Sequence, residues 1–181
     1  YYSAPIIRAS ANGAREAVMG SFSMVPKARL GPGVRYYPTA NARIETIGKL
    51  SSFAQFWRAG QLCLIPATAF YEPNWETGKA VRWKIGLKTG EPFGIACLWD
   101  RWTDPASGEQ VVSCAMLTVN ADQHPVMRQF HKPGDEKRTP VVVVPALHHQ
   151  WLGADPDRAA ELMSWSHMPT LIAQAAPHLT R

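Results

Sequence analysis

An α+β fold is predicted, built mainly on an antiparallel, barrel-like β-sheet with flanking helices. Three observations carry it. Fifteen of the 181 residues are proline, against a usual share of about 5%, which argues against a helical bundle. Between residues 61 and 119 short apolar, β-branched or aromatic runs alternate with Gly-rich or polar turns, the pattern of successive strands. Helical spacing is confined to 51–58 and to the tail.

In chain order, residues 24–39 (MVPKARLGPGVRYYPT) carry three Pro and two Gly, too punctuated for a helix, and predict a long irregular loop. Loops this long in a compact domain are usually functional or disordered. This one is basic and holds Tyr36 and Tyr37, so a loop facing nucleic acid is expected. Residues 41–46 have a turn-like start. Residues 51–58 read as a short helix with a Ser cap, apolar Phe53, Phe56 and Trp57, and Gly60 as its stop. Strands are expected at 61–65, 67–71, 81–87, 93–99 and 111–119, with turns at 77–78, 88–90 and 105–108. The β-branched run 141–144 reads as a buried strand. The tail predicts helix at 148–152 and 157–163, with Asp155 or Asp157 as the cap.

One domain over 1–181 is expected from length alone. At 46% hydrophobic and 18% charged the composition is ordinary for a globular chain, which excludes disorder as the general state. The apolar runs fall far short of the roughly 18 residues that span a bilayer, so no membrane partner is expected. No secretory signal opens the chain. It starts at Tyr1 without an initiator Met, and an N-terminal segment before Tyr1 is expected. Cys63, Cys97 and Cys114 are odd in number, lack CxxC spacing and sit in apolar runs. They read as buried thiols in a reducing cytoplasm. Residues 1–60 carry eight Lys/Arg and two acids, whereas 61–181 carry eleven and twelve. The whole excess of +5 therefore comes from the first third, as a polyanion-binding face or as a solvated basic face without a partner.

Glu72 ends an apolar run beside Tyr71 and Pro73. A carboxylate there is either partly desolvated, and so suited to proton transfer, or a strand-end group in solvent. His131 opens the segment HKPGDEKR and is either an acid–base group near neutrality or a surface histidine. Asn41 and Arg43 are two apart and share a face if extended. Such an amide and guanidinium suit a phosphate with an adjacent sugar, or form an ordinary turn. Adjacent His148 and His149 without further ligands make a poor metal site, and no metal or cofactor is expected. Cys114 with His131 would make a thiol hydrolase, but a thiol in a buried strand is a weak nucleophile. No GxSxG, P-loop or GxGxxG is present.

Taken together these segments resemble the SOS-response-associated peptidase (SRAP) family, abasic-site processing proteins. Residues 2–5 (YSAP) are similar to its Y-N-x-A-P, and 41–46 (NARIET) to its N-A-R-x-E-T. Residues 63–73 (CLIPATAFYEP) look like its C-x-x-P-x-x-G-F/W-Y/F-E-W, and 117–122 (LTVNAD) like its T-x-x-A strand end. Residues 130–138 (FHKPGDEKR) are similar to its H-x-R-M-P region in a longer form. Where the family has W-G-x-x-P-x-W, this chain has GSFSMVPKA at 20–28 without either Trp, and Tyr36 or Tyr37 is expected to supply the stacking ring.

The resemblance implies recognition of abasic sites in single-stranded DNA. It implies a covalent crosslink through an N-terminal Cys that self-processing exposes, on the M-C-G-R piece that this chain does not carry. Asn41, Glu72 and His131 would be catalytic: Asn41 holding the amine or sugar, Glu72 moving protons at the amine, His131 assisting ring opening. Arg43 and Arg138 would clamp phosphates, and Lys27, Arg29, Tyr36 and Tyr37 would extend the DNA surface. A monomer is expected, cytoplasmic, bacterial or phage-derived, and bound to the nucleoid when engaged. The alternative is a non-catalytic single-stranded DNA-binding module that has lost the nucleophile.

Overall fold

The computed structural model describes residues 2–177. The chain opens with a hairpin of β1 (Ser3–Ala9) and β2 (Arg15–Phe22), paired from Ser3↔Ser21 to Ala9↔Arg15. Its loop holds Asn12 and Gly13, the latter at φ 78°, a left-handed position that glycine adopts without steric cost. Then follow β3 (Asn41–Arg43), α1 (Ala54–Arg58), β4 (Leu62–Ala67), β5 (Phe70–Asn74), β6 (Val81–Leu87), β7 (Phe93–Thr103) and β8 (Gln110–Asn120). The chain ends with β9 (Arg138–Pro140), β10 (Val142–Val143), α2 (His148–Leu152), α3 (Pro156–Leu162) and β11 (Leu171–Ala175).

The main sheet runs β10-β7-β4-β1-β2-β8-β3, and β7 also pairs with β8, which closes it into a barrel. β9 adds to β8 at Thr118↔Pro140. Most pairings are antiparallel; β2–β8 and β3–β8 are parallel. A second, antiparallel sheet runs β11-β6-β5. The predicted class holds: α+β, barrel-like and mainly antiparallel.

β4 explains how one sheet serves two cores. Leu62 and Leu64 join a cluster with Phe56, Leu98, Leu117, Trp151 and Leu162, under the helices. The alternate residues Cys63 and Ile65 join Ile6, Ile85, Phe93 and Phe130, against the second sheet. Apolar material covers both faces, so the strand reads as a continuous apolar run rather than an alternating one. Trp151 fastens α2 to this strand, its Nε1 donating to the Cys63 carbonyl at 3.0 Å.

Several boundaries differ from expectation. α1 begins at Ala54 after Phe53, with no side-chain cap, so Ser51 and Ser52 do not cap it. α3 is capped by Asp155, whose carboxylate accepts from the Arg158 N–H at 2.8 Å. The strand expected at 67–71 lies at Phe70–Asn74, carrying Glu72 and Pro73 inside it; an edge strand of the smaller sheet tolerates a residue without an N–H. Of the run 141–144 only Val142–Val143 is strand, as β10 on β7; β9, just before it, pairs with β8. Residues 24–40 are irregular apart from one 3-10 turn at Lys27–Arg29.

Candidate functional site

Two pieces of backbone bring distant residues together. On one side β3 runs parallel to β8, pairing Asn41 with Met116 and Arg43 with Thr118. Its exposure alternates, with Ala42 buried and Asn41 and Arg43 exposed. Both side chains therefore leave on one face, as the two-residue spacing predicts. On the other side β5 carries Glu72. The segment after β8 returns to it: Asn74 bridges Phe130, and the His131 N–H donates to the Pro73 carbonyl at 3.1 Å. The cleft between holds about 260 Å³ and is lined by Asn41, Arg43, Glu72, Met116, Thr118, His131, Arg138, Thr139 and Pro140. Asn41, Glu72, His131, Arg43 and Arg138 thus meet in one place.

His131 is held in an uncommon backbone state, φ 63°, which costs about 1–2 kcal/mol for a residue with a Cβ. Its Nε2 lies 2.8 Å from the Arg138 carbonyl oxygen. A carbonyl only accepts, so Nε2 carries the hydrogen. That turns Nδ1 toward Glu72, whose Oε2 lies 3.8 Å away. Both side chains are about four-fifths buried. Burial pushes the Glu72 carboxyl above its usual range, and the nearby His131 partly offsets this. At 3.8 Å the two groups face each other without a direct hydrogen bond, a gap that a small shift or one bridging water would close.

Arg138 has another set of contacts. Its guanidinium forks onto Glu45, Nη1 to Oε1 at 3.0 Å and Nη2 to Oε2 at 2.9 Å. Nη2 also donates to the Thr118 carbonyl at 2.6 Å, and Nη1 to Glu136 Oε1 at 2.8 Å. The side chain is only 12% exposed. Burial pushes the Glu45 carboxyl up, but its hydrogen bonds from Arg138 and the backbone hold it below its usual range. Glu136 also reaches Arg43, Oε2 to Nη1 at 2.6 Å. Sequence reasoning gave Glu45, Thr118 and Glu136 no role here. Glu45 was open to discovery, because 41, 43 and 45 continue one alternation.

The family model for SOS response associated peptidase (SRAP) matches residues 1–176. The chain belongs to the SRAP family. A solved structure from Bordetella bronchiseptica is 36% identical, with a TM-score of 0.83 over 98% of this chain and 85% of the other. One from Bacteroides thetaiotaomicron, at 20% identity, has a TM-score of 0.70 over 97% and 74%, and shares the fold. Two curated relatives, each called abasic site processing protein YoqW, come from Bacillus subtilis (strain 168) and Bacillus phage SPbeta. Each is 28% identical over 131 residues, which is 70% of this chain and 54% of the relative. The SRAP domain here thus spans about half the length of those relatives.

Other expected residues lie apart from the cleft. Arg29 is paired with Asp100, whose ladder partner Ser113 precedes the residue opposite Asn41 by three positions on β8. Lys27 shares its 3-10 turn. Tyr36 and Tyr37 are exposed, with Arg35 over the Tyr37 ring at 5.0 Å, and neither lines the cleft. The three cysteines are buried. Burial pushes the Cys114 thiol up to about 12, and its Sγ faces the Ser21 carbonyl at 3.6 Å, so the geometry argues against a thiol hydrolase using Cys114. Among the described residues no group of three or more His, Cys, Asp or Glu is placed to hold a metal. No helix among them is long and apolar enough to cross a membrane.

Proposed function

We propose that this SRAP domain processes abasic sites in single-stranded DNA and that the Asn41, Glu72 and His131 cleft receives the ring-opened sugar. The observation that carries the reading is the Glu72–His131 pair, two titratable groups facing each other in a cleft that Asn41 and Arg43 also line. An abasic site offers no base to read, so recognition rests on backbone charge and on stacking with neighbouring bases. Arg43 is the exposed cation of the cleft, and Tyr36 and Tyr37 the exposed rings of the adjoining loop.

The SRAP resemblance implies that the nucleophile is an N-terminal Cys exposed by self-processing. Its neutral α-amine adds to the aldehyde carbon and water leaves, giving an imine. The thiolate of the same residue then adds to the imine carbon, the nitrogen takes a proton, and a thiazolidine ring closes. An α-amine titrates at about 7.7–8.0, so part of it is neutral at cell pH, and a thiol on the same residue acts at high effective concentration. Glu72 takes the proton from the attacking amine. His131 Nδ1 supplies or accepts the proton at the sugar oxygen, and the side-chain amide of Asn41 holds the sugar.

The test is denaturing electrophoresis after incubation with an abasic single strand. Full-length protein, taken as a chain that begins with that Cys, should give a covalent species. The 181-residue chain should bind without crosslinking unless a hydride reagent reduces an imine at Tyr1. Absence of a covalent species from the full-length protein would overturn the reading. So would a stable crosslink by the shorter chain without reductant, since the nucleophile would then lie elsewhere.

A further inference from the structure

Glu136 is the one carboxylate that touches both cleft arginines among the described residues. Its Oε2 is 2.6 Å from Arg43 Nη1 and its Oε1 is 2.8 Å from Arg138 Nη1. The two arginines come from different strands, β3 and β9, so the carboxylate spans them as the non-bridging oxygens of a phosphate would. It carries the same single charge as a backbone phosphate of DNA. Arg43 is 58% exposed and makes no other ion pair among the described residues. Arg138 by contrast keeps Glu45 and Thr118 whatever Glu136 does.

Glu136 also sits where it can leave. It lies before β9, outside the ladder that fixes Arg138. The segment from His131 turns at Lys132, with the Asp135 N–H donating to its carbonyl at 3.1 Å. Gly134 takes φ 87° in this turn. The remaining tethers of Glu136 are side-chain contacts, including Asn120 Nδ2 to Oε1 at 3.2 Å. Its hydrogen bonds from Arg138 and Asn120 hold its carboxyl below the usual range, so it is ionised near neutrality.

We propose that Glu136 is a built-in competitor for the DNA phosphate, occupying Arg43 and one arm of Arg138 in the free protein and setting the affinity and salt dependence of strand binding. The proposal rests on the reading of this cleft as a DNA site. A phosphate that approaches Arg43 must displace Glu136 or sit beside it against like-charge repulsion. Binding then exchanges an internal ion pair for an external one and releases fewer counterions than a free arginine would.

The experiment measures binding of a short oligothymidylate across a salt series by the 181-residue chain and its variants. Glu136→Gln should tighten binding about two- to fivefold at low ionic strength, the scale of one exposed ion pair. Its log–log salt slope should steepen by about 0.7, the value of one further single-strand phosphate contact. Glu136→Asp, which keeps the charge, should retain the wild-type slope. Adding Arg43→Ala to Glu136→Gln should remove most of the gain, and Glu136→Ala replaces the Gln variant if that one does not fold. Equal affinity and slope for wild type and Glu136→Gln would overturn this proposal alone. An Asp variant behaving like the Gln variant would also overturn it, pointing to a loosened loop rather than a removed charge. No binding by any variant would overturn the DNA reading and this proposal with it.

Discussion

At the scale of single residues, the carboxylates of Glu45 and Glu72 are pushed in opposite directions by their surroundings. Glu72 has little but burial and one imidazole, so its proton is held more tightly. Glu45 receives the Arg138 fork and the Asn120 N–H at 3.1 Å, so its proton is lost more readily. A carboxyl lowered on folding stabilises the native state above its unfolded value and loses that contribution as pH falls through the folded one. Glu45→Gln should therefore cost about 1 kcal/mol at neutral pH. That is below the roughly 1.5–3 kcal/mol of a hydrogen bond to a charge, because the Glu45 side chain is 44% exposed and screened by solvent. Thermal melts should show a loss of about 2–4 °C, shrinking as pH falls from the ordinary carboxyl value of 4.5. A gap of constant size down to strong acid would assign the effect to packing instead. Residue by residue, much of the site was legible: period-two spacing placed Asn41 and Arg43 on one face. The link from Glu45 to Arg138 was not, because it spans 93 positions and is made by folding alone.

At the scale of elements, Val81–Leu87 was read at its own bounds although Lys84 is exposed between Trp83 and buried Ile85, and Phe93–Thr103 was read from the continuous buried run that opens it. The opening hairpin went unread although Asn12-Gly13 between two strand-like runs is a turn signal of known mechanism. Its exposed Arg15, Ala17 and Met19 hide the apolar pattern. β11 was missed for a similar reason: Ile172, Gln174 and Ala175 are exposed. Gly94 shows what element packing demands of a sequence. A Cβ there would lie 2.8 Å from Leu64 Cδ2 and 3.0 Å from His148 Nε2. Leu64 is 1% exposed and has no room to turn away, while His148 Nε2 is occupied with the Val143 carbonyl at 3.0 Å. Gly94→Ala should cost about 1–3 kcal/mol as overpacking does, read as a lowered denaturant midpoint at unchanged slope. A variant as stable as wild type would mean that α2 shifts freely on the barrel.

For the whole molecule, the charge count along the sequence was a poor guide to the surface. The first third carries the basic excess, yet among the described residues folding brings later carboxylates to two of its eight Lys/Arg: Arg29 meets Asp100 and Arg43 meets Glu136. The cleft itself sets Arg43 and Arg138 against Glu45, Glu72 and Glu136. Parallel pairing of β2 and β3 with β8 could not be read locally, because it joins segments about 75–92 positions apart. That pairing places Asn41 opposite Met116 and Arg43 opposite Thr118, in the cleft that Glu72 and His131 also line. The role proposed for this pair is to move protons in the reaction with the abasic sugar. It is tested most directly by the single-turnover rate of covalent adduct formation in full-length Glu72→Gln, with strand binding measured on the same protein. The rate should fall about a hundredfold or more below wild type, the usual worth of a general acid–base group, with binding nearly unchanged. An adduct rate equal to wild type at equal binding would contradict it.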